Sequence, residues 1–189
     1  MLLIYGANGY TGKLIVERAL ARGLKPILSG RNAEAVGQLA RAQGLEARPA
    51  ALDHQRSLDD ALDGVTTVLH CAGPFARTAN VMATACIRAK AHYLDITGEI
   101  SVFEMLAQRS AEARRAGVML LPGAGFDVVP SDCLAAHLKR RLPAATALAL
   151  AFYGGTGLSR DRHDDGRERR ARRSREARWP YYDRSRRLA

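Results

Sequence analysis

Short apolar runs alternate with helical patterns along most of the chain. The apolar runs predict buried strands at residues 2–6, 25–30, 46–53, 66–73, 91–99, 117–123 and 146–155. Between them, apolar residues at helical spacing predict helices at 11–22, 33–43, 57–62, 78–90, 101–116 and 131–142. Continuously apolar strands that alternate with helices are typical of a parallel sheet covered on both faces. The predicted fold class is therefore α/β, with a doubly wound, mostly parallel sheet.

The composition changes sharply near residue 157. The chain has 189 residues, of which 47% are hydrophobic, so a packed core is expected. Its formal net charge is +10, but residues 160–189 alone hold 12 basic and 6 acidic side chains. Residues 1–159 carry a net charge of +4, so most of the basic excess lies in the last 30 residues.

The cysteine count and the first residues indicate the compartment. Cys71, Cys86 and Cys133 are odd in number and form no CxxC pair, which favours a reducing cytoplasm over a disulfide framework. No basic leader precedes the first strand, and no apolar run approaches the roughly 20 residues of a membrane span. We expect a cytoplasmic protein.

A glycine loop joins the first predicted strand to the first helix. Its sequence, GANGYTG, has the spacing G-x-x-G-x-x-G, in which Gly6 makes the tight turn, Gly9 admits a pyrophosphate and Gly12 allows close helix packing. Thr11 can cap the helix or bond a phosphate oxygen. The strand before the loop and the helix after it indicate nucleotide binding at the helix N-terminus, where unpaired N–H groups favour an anion. The predicted cofactor contacts in this loop are Gly6, Ala7, Asn8, Gly9, Tyr10, Thr11 and Gly12.

The end of the second predicted strand indicates which dinucleotide binds. NAD sites usually have an acid there for the ribose 2′-hydroxyl, whereas this chain has Ser29, Gly30, Arg31 and Asn32. Arg31 can pair with a 2′-phosphate, which favours NADP. The alternative is a solvent-facing loop arginine.

Two further strand ends contribute candidate cofactor residues. Asp53 can accept a hydrogen bond from the adenine amino group, or it can be the N-cap of the following helix. Ala72, Gly73, Pro74 and Phe75 end the fourth predicted strand, where small residues allow the backbone to approach the ribose. Ligands bind at the carboxyl ends of strands in open α/β sheets, so these loops should converge.

Other polar residues in the body receive no catalytic assignment. Asp95, Thr97 and Glu99 end a predicted strand and can face the site, with helix capping as the alternative for Thr97 and Glu99. The structural reading is preferred for His92 and Asp127, Cys71 is expected to be inert, and no metal-ligand spacing is present. Catalytic residues stay unassigned.

Four segments give the chain a resemblance to a known family. GANGYTGKLI, HCAGPFARTANVMATAC, HYLDITGE and GAGFDVVPSDCLA resemble the saccharopine dehydrogenase-like oxidoreductases, most closely their trans-acting enoyl reductase branch. The resemblance implies an NADP-binding Rossmann domain over residues 1–145, with Gly73, Pro74 and Phe75 near the nicotinamide. It also implies that residues 146–157 are the start of a second, α+β substrate domain.

The resemblance implies hydride transfer from NADPH to an enoyl or lipid-like substrate in the full-length form. The expected partner is a small-molecule or carrier-bound lipid substrate, with membrane-surface association as an option. Because most of the substrate domain is missing, we expect this chain to be inactive. The alternatives are a binding-only NADP module or partner-docking protein without turnover, and nucleic-acid binding through the arginine tail. Only Trp179, Tyr181 and Tyr182 can stack on bases there, so no nucleic-acid partner is expected.

The basic segment 158–189 is interpreted as a frameshifted reading of the family's next segment. Residues 159–179 are rich in arginine and lack Lys, Val, Ile, Met and Phe, so they cannot bury a core. One synonymous choice of codons for residues 158–180, read one base later, encodes a string with the Thr, Val and Gly usage of folded protein. A solvated tail and a selected nucleic-acid arm are the alternatives. The gene sequence decides between them.

Overall fold

A parallel sheet lies at the centre of the structure. The computed structural model describes residues 1–126 and 128–150, and Met1–Leu148 form one compact unit. Within that part the strands are Leu2–Tyr5 (β1), Ile27–Ser29 (β2), Thr67–His70 (β3), His92–Asp95 (β4) and Leu120–Leu121 (β5). All pairings are parallel and the strand order is β2-β1-β3-β4-β5, so the order reverses at β1. The α/β, doubly wound prediction is confirmed, and the reversal makes the carboxyl ends of β1 and β3 the topological switch point, where sheets of this class bind ligands.

Helices connect the strands. They are Tyr10–Ala21 (α1), Ala33–Gln43 (α2), Gln55–Leu62 (α3), Phe75–Ala89 (α4), Ile100–Gln108 (α5), Ser110–Ala116 (α6) and Val129–Arg141 (α7). None of those that the structure describes is both long enough and apolar enough to cross a membrane.

The core has two parts, one on each face of the sheet. Leu3 and Tyr5 of β1 pack with helices α3 to α5 on one face, whereas Ile4 packs with α1 and α2 on the other. Successive side chains of a strand point to opposite faces, so a strand covered on both sides must be apolar throughout. This explains the continuous apolar runs. By contrast, α7 buries no side chain among the described residues.

The third predicted strand, 46–53, is wrong. Its backbone begins to pair with β2, because Leu28 N–H donates to Glu46 O at 2.8 Å and Arg48 N–H donates to Leu28 O at 2.9 Å. The pairing is a single bridge between Leu28 and Ala47. The Ser29 hydroxyl donates to the Arg48 carbonyl at 2.6 Å and Ala50 N–H donates to Gly30 O at 3.1 Å, so the segment stays beside β2 without forming a regular ladder.

Two other element predictions need correction. The predicted helix 101–116 is divided into α5 and α6, because the chain turns at Arg109, whose guanidinium donates to Thr84 on α4 at 2.7 Å. The predicted strand 146–155 is absent over residues 146–150, which adopt no regular structure. Residues 151–155, the basic segment and Asp127 lie outside the described residues.

Candidate functional site

Two glycines hold the β1–α1 loop against its neighbours. Gly6 has φ +81°, donates its N–H to Ser29 O at 2.9 Å and lies so close to the next loop that a Cβ would be 3.0 Å from Ala72 N. A Cβ on Gly12 would overlap the Gly6 carbonyl oxygen and lie 2.9 Å from the Ala7 Cα. The turn and the close helix packing therefore both require glycine.

Gly9 differs from these two glycines, because its backbone angles are ones that any residue adopts. It is the N-cap of α1 with φ −73°. A Cβ there would have one heavy atom within 4 Å, the Gly6 carbonyl oxygen, at a tight 3.2 Å. The glycine leaves the backbone before α1 bare, which is what close approach of a ligand requires.

The N-terminus of α1 offers unpaired donors beside Gly9. The first helical hydrogen bond runs from Lys13 N–H to Gly9 O at 3.0 Å. No acceptor is recorded among the described residues for the N–H groups of Tyr10, Thr11 and Gly12. The capping alternative for Thr11 is wrong, since Gly9 is the N-cap and Thr11 lies within the first turn. These donors and the helix dipole make an anion site.

The loop after β2 presents an exposed arginine. Arg31 is exposed and forms no ion pair in the part of the chain that the structure describes. Asn32 caps α2, because its Oδ1 accepts from Ala35 N–H at 3.0 Å. Gly30 lies against the glycine loop, where a Cβ would be 3.0 Å from Asn8 Oδ1. The three neighbours thus have different roles, and only Arg31 offers a free charge.

Asp53 lies at the same edge of the sheet as Arg31. Its capping alternative is wrong, because the N-cap of α3 is His54, whose Nδ1 accepts from Ser57 N–H at 3.1 Å. Burial raises the pKa of Tyr5 to about 12, with the nearby Arg31 lowering it and Asp53 raising it. The charges of Arg31 and Asp53 therefore both act on Tyr5, the last residue of β1. The loops that hold these two residues converge at the end of that strand, as expected.

The 72–75 loop is tied down by the side chain of Thr78. The Thr78 hydroxyl lies 2.8 Å from Ala72 O and 3.1 Å from Pro74 O. Gly73 and Pro74 are exposed, while Phe75, which ends the loop as the first residue of α4, is half-buried. The loop therefore lies exposed at the edge of the sheet, while the Thr78 hydroxyl on α4 restrains two of its carbonyl groups.

A buried polar row lies beneath these loops, and two of its members, Ser29 and Asp95, were among the candidates predicted from the sequence. The last residues of four strands, Ser29, Tyr5, His70 and Asp95, are paired in register and almost fully buried. His70 was not anticipated; the signal available was one ionisable residue inside an apolar run. Its Nε2 lies 2.9 Å from Thr78 Oγ1, and Nδ1 has no partner among the described residues. Burial lowers the pKa of His70 to about 3.

Asp95 is engaged by its surroundings on both carboxylate oxygens. Oδ2 accepts from the Tyr93 hydroxyl at 2.6 Å, and Oδ1 accepts from Thr97 N–H at 3.0 Å and Gly123 N–H at 2.8 Å. Burial and this carboxylate raise the pKa of Tyr93 far above its usual value. His92 is also structural, because its Nδ1 accepts from Met119 N–H at 3.0 Å.

Glu99 is the N-cap residue of α5, as the capping alternative predicts, but its carboxylate makes no bond to that helix. Instead Oε1 and Oε2 accept from the N–H groups of Phe75 and Ala76, each at 2.9 Å. Among the residues that are described, no group of His, Cys, Asp and Glu could hold a metal ion.

The strand order, the glycine turn and the exposed helix N-terminus define a dinucleotide-binding α/β domain. Residues 2–121 match the family model of the saccharopine dehydrogenase NADP binding domain. The chain belongs to this family, and the family assignment confirms the prediction that the cofactor is NADP.

Curated relatives match this chain over part of their length. The human saccharopine dehydrogenase-like oxidoreductase is 25% identical over 182 residues, which cover 84% of this chain and 42% of the relative. The trans-acting enoyl reductase of Mycobacterium leprae is 32% identical over 149 residues, which cover 75% of this chain and 36% of the relative. The chain thus spans less than half the length of these relatives.

Solved structures show the same fold. Saccharopine dehydrogenase (L-Glu forming) from Saccharomyces cerevisiae superposes with a TM-score of 0.66 at 17% identity, over 76% of this chain and 31% of that chain. The triphenylmethane reductase of Citrobacter sp., complexed with NADP(H), gives a TM-score of 0.50 at 22% identity, over 62% of this chain and 46% of that chain. At these identities the likeness is one of fold.

Proposed function

We propose that the carboxyl edge of the sheet binds NADPH through the residues expected from the sequence. The pyrophosphate lies at the α1 N-terminus, the 2′-phosphate at Arg31, the adenine near Asp53 and the nicotinamide half near the 72–75 loop. The observation that supports this most directly is Gly9, whose backbone angles do not call for glycine and which adjoins three N–H groups that have no partner among the described residues. The residues present therefore fit a dinucleotide.

For the whole protein we propose hydride transfer to an enoyl or lipid-like substrate. Bound NADPH supplies the hydride. Two apolar side chains support an apolar substrate, since Ile100 after β4 is 63% exposed and Phe126 after β5 is 88% exposed. Among relatives, one is named a trans-acting enoyl reductase and another, from Caenorhabditis elegans, a lipid droplet localized protein.

Binding without turnover is the second candidate for the 189-residue chain. Three ionisable groups at this edge have internal roles: Asp95 and Glu99 accept from backbone N–H groups, and His70 is fully buried. None of the three is free to donate a proton to a substrate. Steady NADPH oxidation by the chain with an enoyl thioester would contradict this candidate.

Cofactor titration of the full chain tests the proposed site. We expect NADPH to bind more tightly than NADH in calorimetry. Gly9→Ala should weaken NADPH binding, because its methyl group occupies the phosphate approach, and a cooperative thermal unfolding transition shows that the variant is folded. Absence of NADPH binding by the parent chain, or undiminished binding by Gly9→Ala, would refute the site.

A further inference from the structure

Side-chain hydrogen bonds join three successive loops at the carboxyl edge. Asp95 Oδ1 accepts from Gly123 in the loop after β5 and from Thr97 in the loop after β4. Thr97 Oγ1 then accepts from Glu99 N–H at 3.0 Å. The Glu99 carboxylate finally reaches the loop after β3, where it accepts from Phe75. The segment YLDITGE therefore connects the loops after β3, β4 and β5 through hydrogen bonds.

The Glu99 end of this chain of bonds occupies the N-terminus of α4. Pro74 is the N-cap there and has no side-chain oxygen to satisfy the first amides. The two oxygens of Glu99 satisfy the N–H groups of Phe75 and Ala76 instead, and the negative charge also complements the helix dipole. Both hydrogen bonds are charge-assisted and therefore stronger than bonds between neutral groups. They join residues that lie 24 positions apart in the sequence.

The contact restrains the loop that the cofactor would touch. Thr78 holds the carbonyls of Ala72 and Pro74 from the helix side. Glu99 holds the amides just after Pro74 from the neighbouring loop. The exposed pair Gly73 and Pro74 lies between these two restraints, and nothing else on the loop is polar enough to replace either.

We propose that Glu99 is a positioning residue that fixes the 72–75 loop against the nicotinamide half of bound NADPH. The inference rests on the proposed function. It assigns Glu99 no contact with the adenosine half, which is bound by α1 and the loop after β2. Loss of the carboxylate therefore affects one half of the cofactor and spares the other.

Two ligands distinguish effects on the nicotinamide half of the cofactor site from effects on the adenosine half. NADPH reaches the whole edge, whereas adenosine 2′,5′-bisphosphate reaches only the α1 and Arg31 side. Calorimetry on the full chain should show NADPH binding about tenfold weaker in Glu99→Ala, the equivalent of one charge-assisted hydrogen bond. Binding of adenosine 2′,5′-bisphosphate should be unchanged, which also shows that the variant is folded.

Graded substitution adds a spectroscopic readout. Glu99→Gln keeps one acceptor oxygen but places an NH2 group against the other amide, so its NADPH affinity should lie between those of the parent and Glu99→Ala. The emission of bound NADPH should change in the same order, because a more loosely held nicotinamide ring gives emission closer to that of free NADPH. Glu104→Gln is the matched control, because Glu104 is exposed on α5 and bonds to no described residue.

The outcomes distinguish the inference from the proposed function. If the parent chain binds neither ligand, both are overturned. If the parent binds NADPH and Glu99→Ala binds it equally well, the positioning role is overturned while the site stands. Equal weakening of both ligands by Glu99→Ala overturns the role as well, because a general loss of structure then explains the effect.

Discussion

The carbonyl oxygen of Gly6 occupies the space where a side chain on Gly12 would begin. A Cβ built on Gly12 would also lie 2.9 Å from the Ala7 Cα and 3.0 Å from the Ala7 carbonyl carbon. All of these atoms belong to backbone, which cannot move aside as the end of a flexible side chain can. The packing of α1 onto the end of β1 therefore depends on a single missing methyl group.

Gly12→Ala should destabilise the fold by about 3 kcal/mol or more, because the overlap can be relieved only by shifting α1. Gly37→Ala is the matched control within α2, where a Cβ would meet only the Arg41 Nη1, at 3.4 Å. That change should stabilise by roughly 0.5–1 kcal/mol, as replacement of a helical glycine generally does. Urea unfolding of both variants measures the difference, and similar free energies of unfolding would contradict the packing argument.

Arg31→Ala should weaken NADPH binding by about 1–3 kcal/mol and leave NADH binding unchanged, since only NADPH offers a 2′-phosphate for a charge-assisted pair. Arg22→Ala removes the same charge from the opposite end of α1, where Arg22 is exposed, and should affect neither cofactor. Calorimetric titration of both variants with both cofactors makes the comparison. An equal loss for NADPH and NADH in Arg31→Ala would overturn the assignment of Arg31.

Local patterns in the sequence were sufficient for most elements and for the glycine loop. The alternation of apolar strands with amphipathic helices is a short-range property, and so is the glycine spacing around Gly6 and Gly12. The failures have longer-range causes. Segment 46–53 follows β2 through a single bridge and a bond from the Ser29 hydroxyl, and the guanidinium of Arg109, at the break between α5 and α6, bonds to α4. The role of Glu99 depends on a helix that begins 24 residues earlier, which no local pattern reveals.

Acid should destabilise the fold through His70. Burial lowers its native pKa to about 3, whereas the unfolded chain has an ordinary value of about 6.5. Between these values the unfolded chain binds a proton that the native protein does not. Stability is therefore fully present above about pH 6.5 and is lost as pH falls, by roughly 1.4 kcal/mol per pH unit.

Urea unfolding at several pH values tests this contribution. His70→Gln keeps an N–H donor for Thr78 but does not titrate, so its free energy of unfolding should fall less steeply below about pH 6.5 than that of the parent. His137→Gln is the control, because His137 is exposed on α7 and should leave the slope unchanged. If the parent and His70→Gln give parallel curves, His70 does not bear the acid sensitivity.

The three cysteines should differ sharply in their reactivity towards a thiol reagent. Burial raises the pKa of Cys71 to about 12, with Asp95 adding to the effect, and burial alone does the same for Cys86. Cys133 is exposed on α7. Because the thiolate is the reactive form, native protein near neutral pH should label rapidly at one site, and urea-unfolded protein at all three. Mass spectrometry after brief alkylation counts the modified sites, and Cys133→Ser should abolish the rapid phase. Rapid labelling of Cys71 in that variant would show that the end of β3 is open to solvent, contrary to the packing of the loops above it.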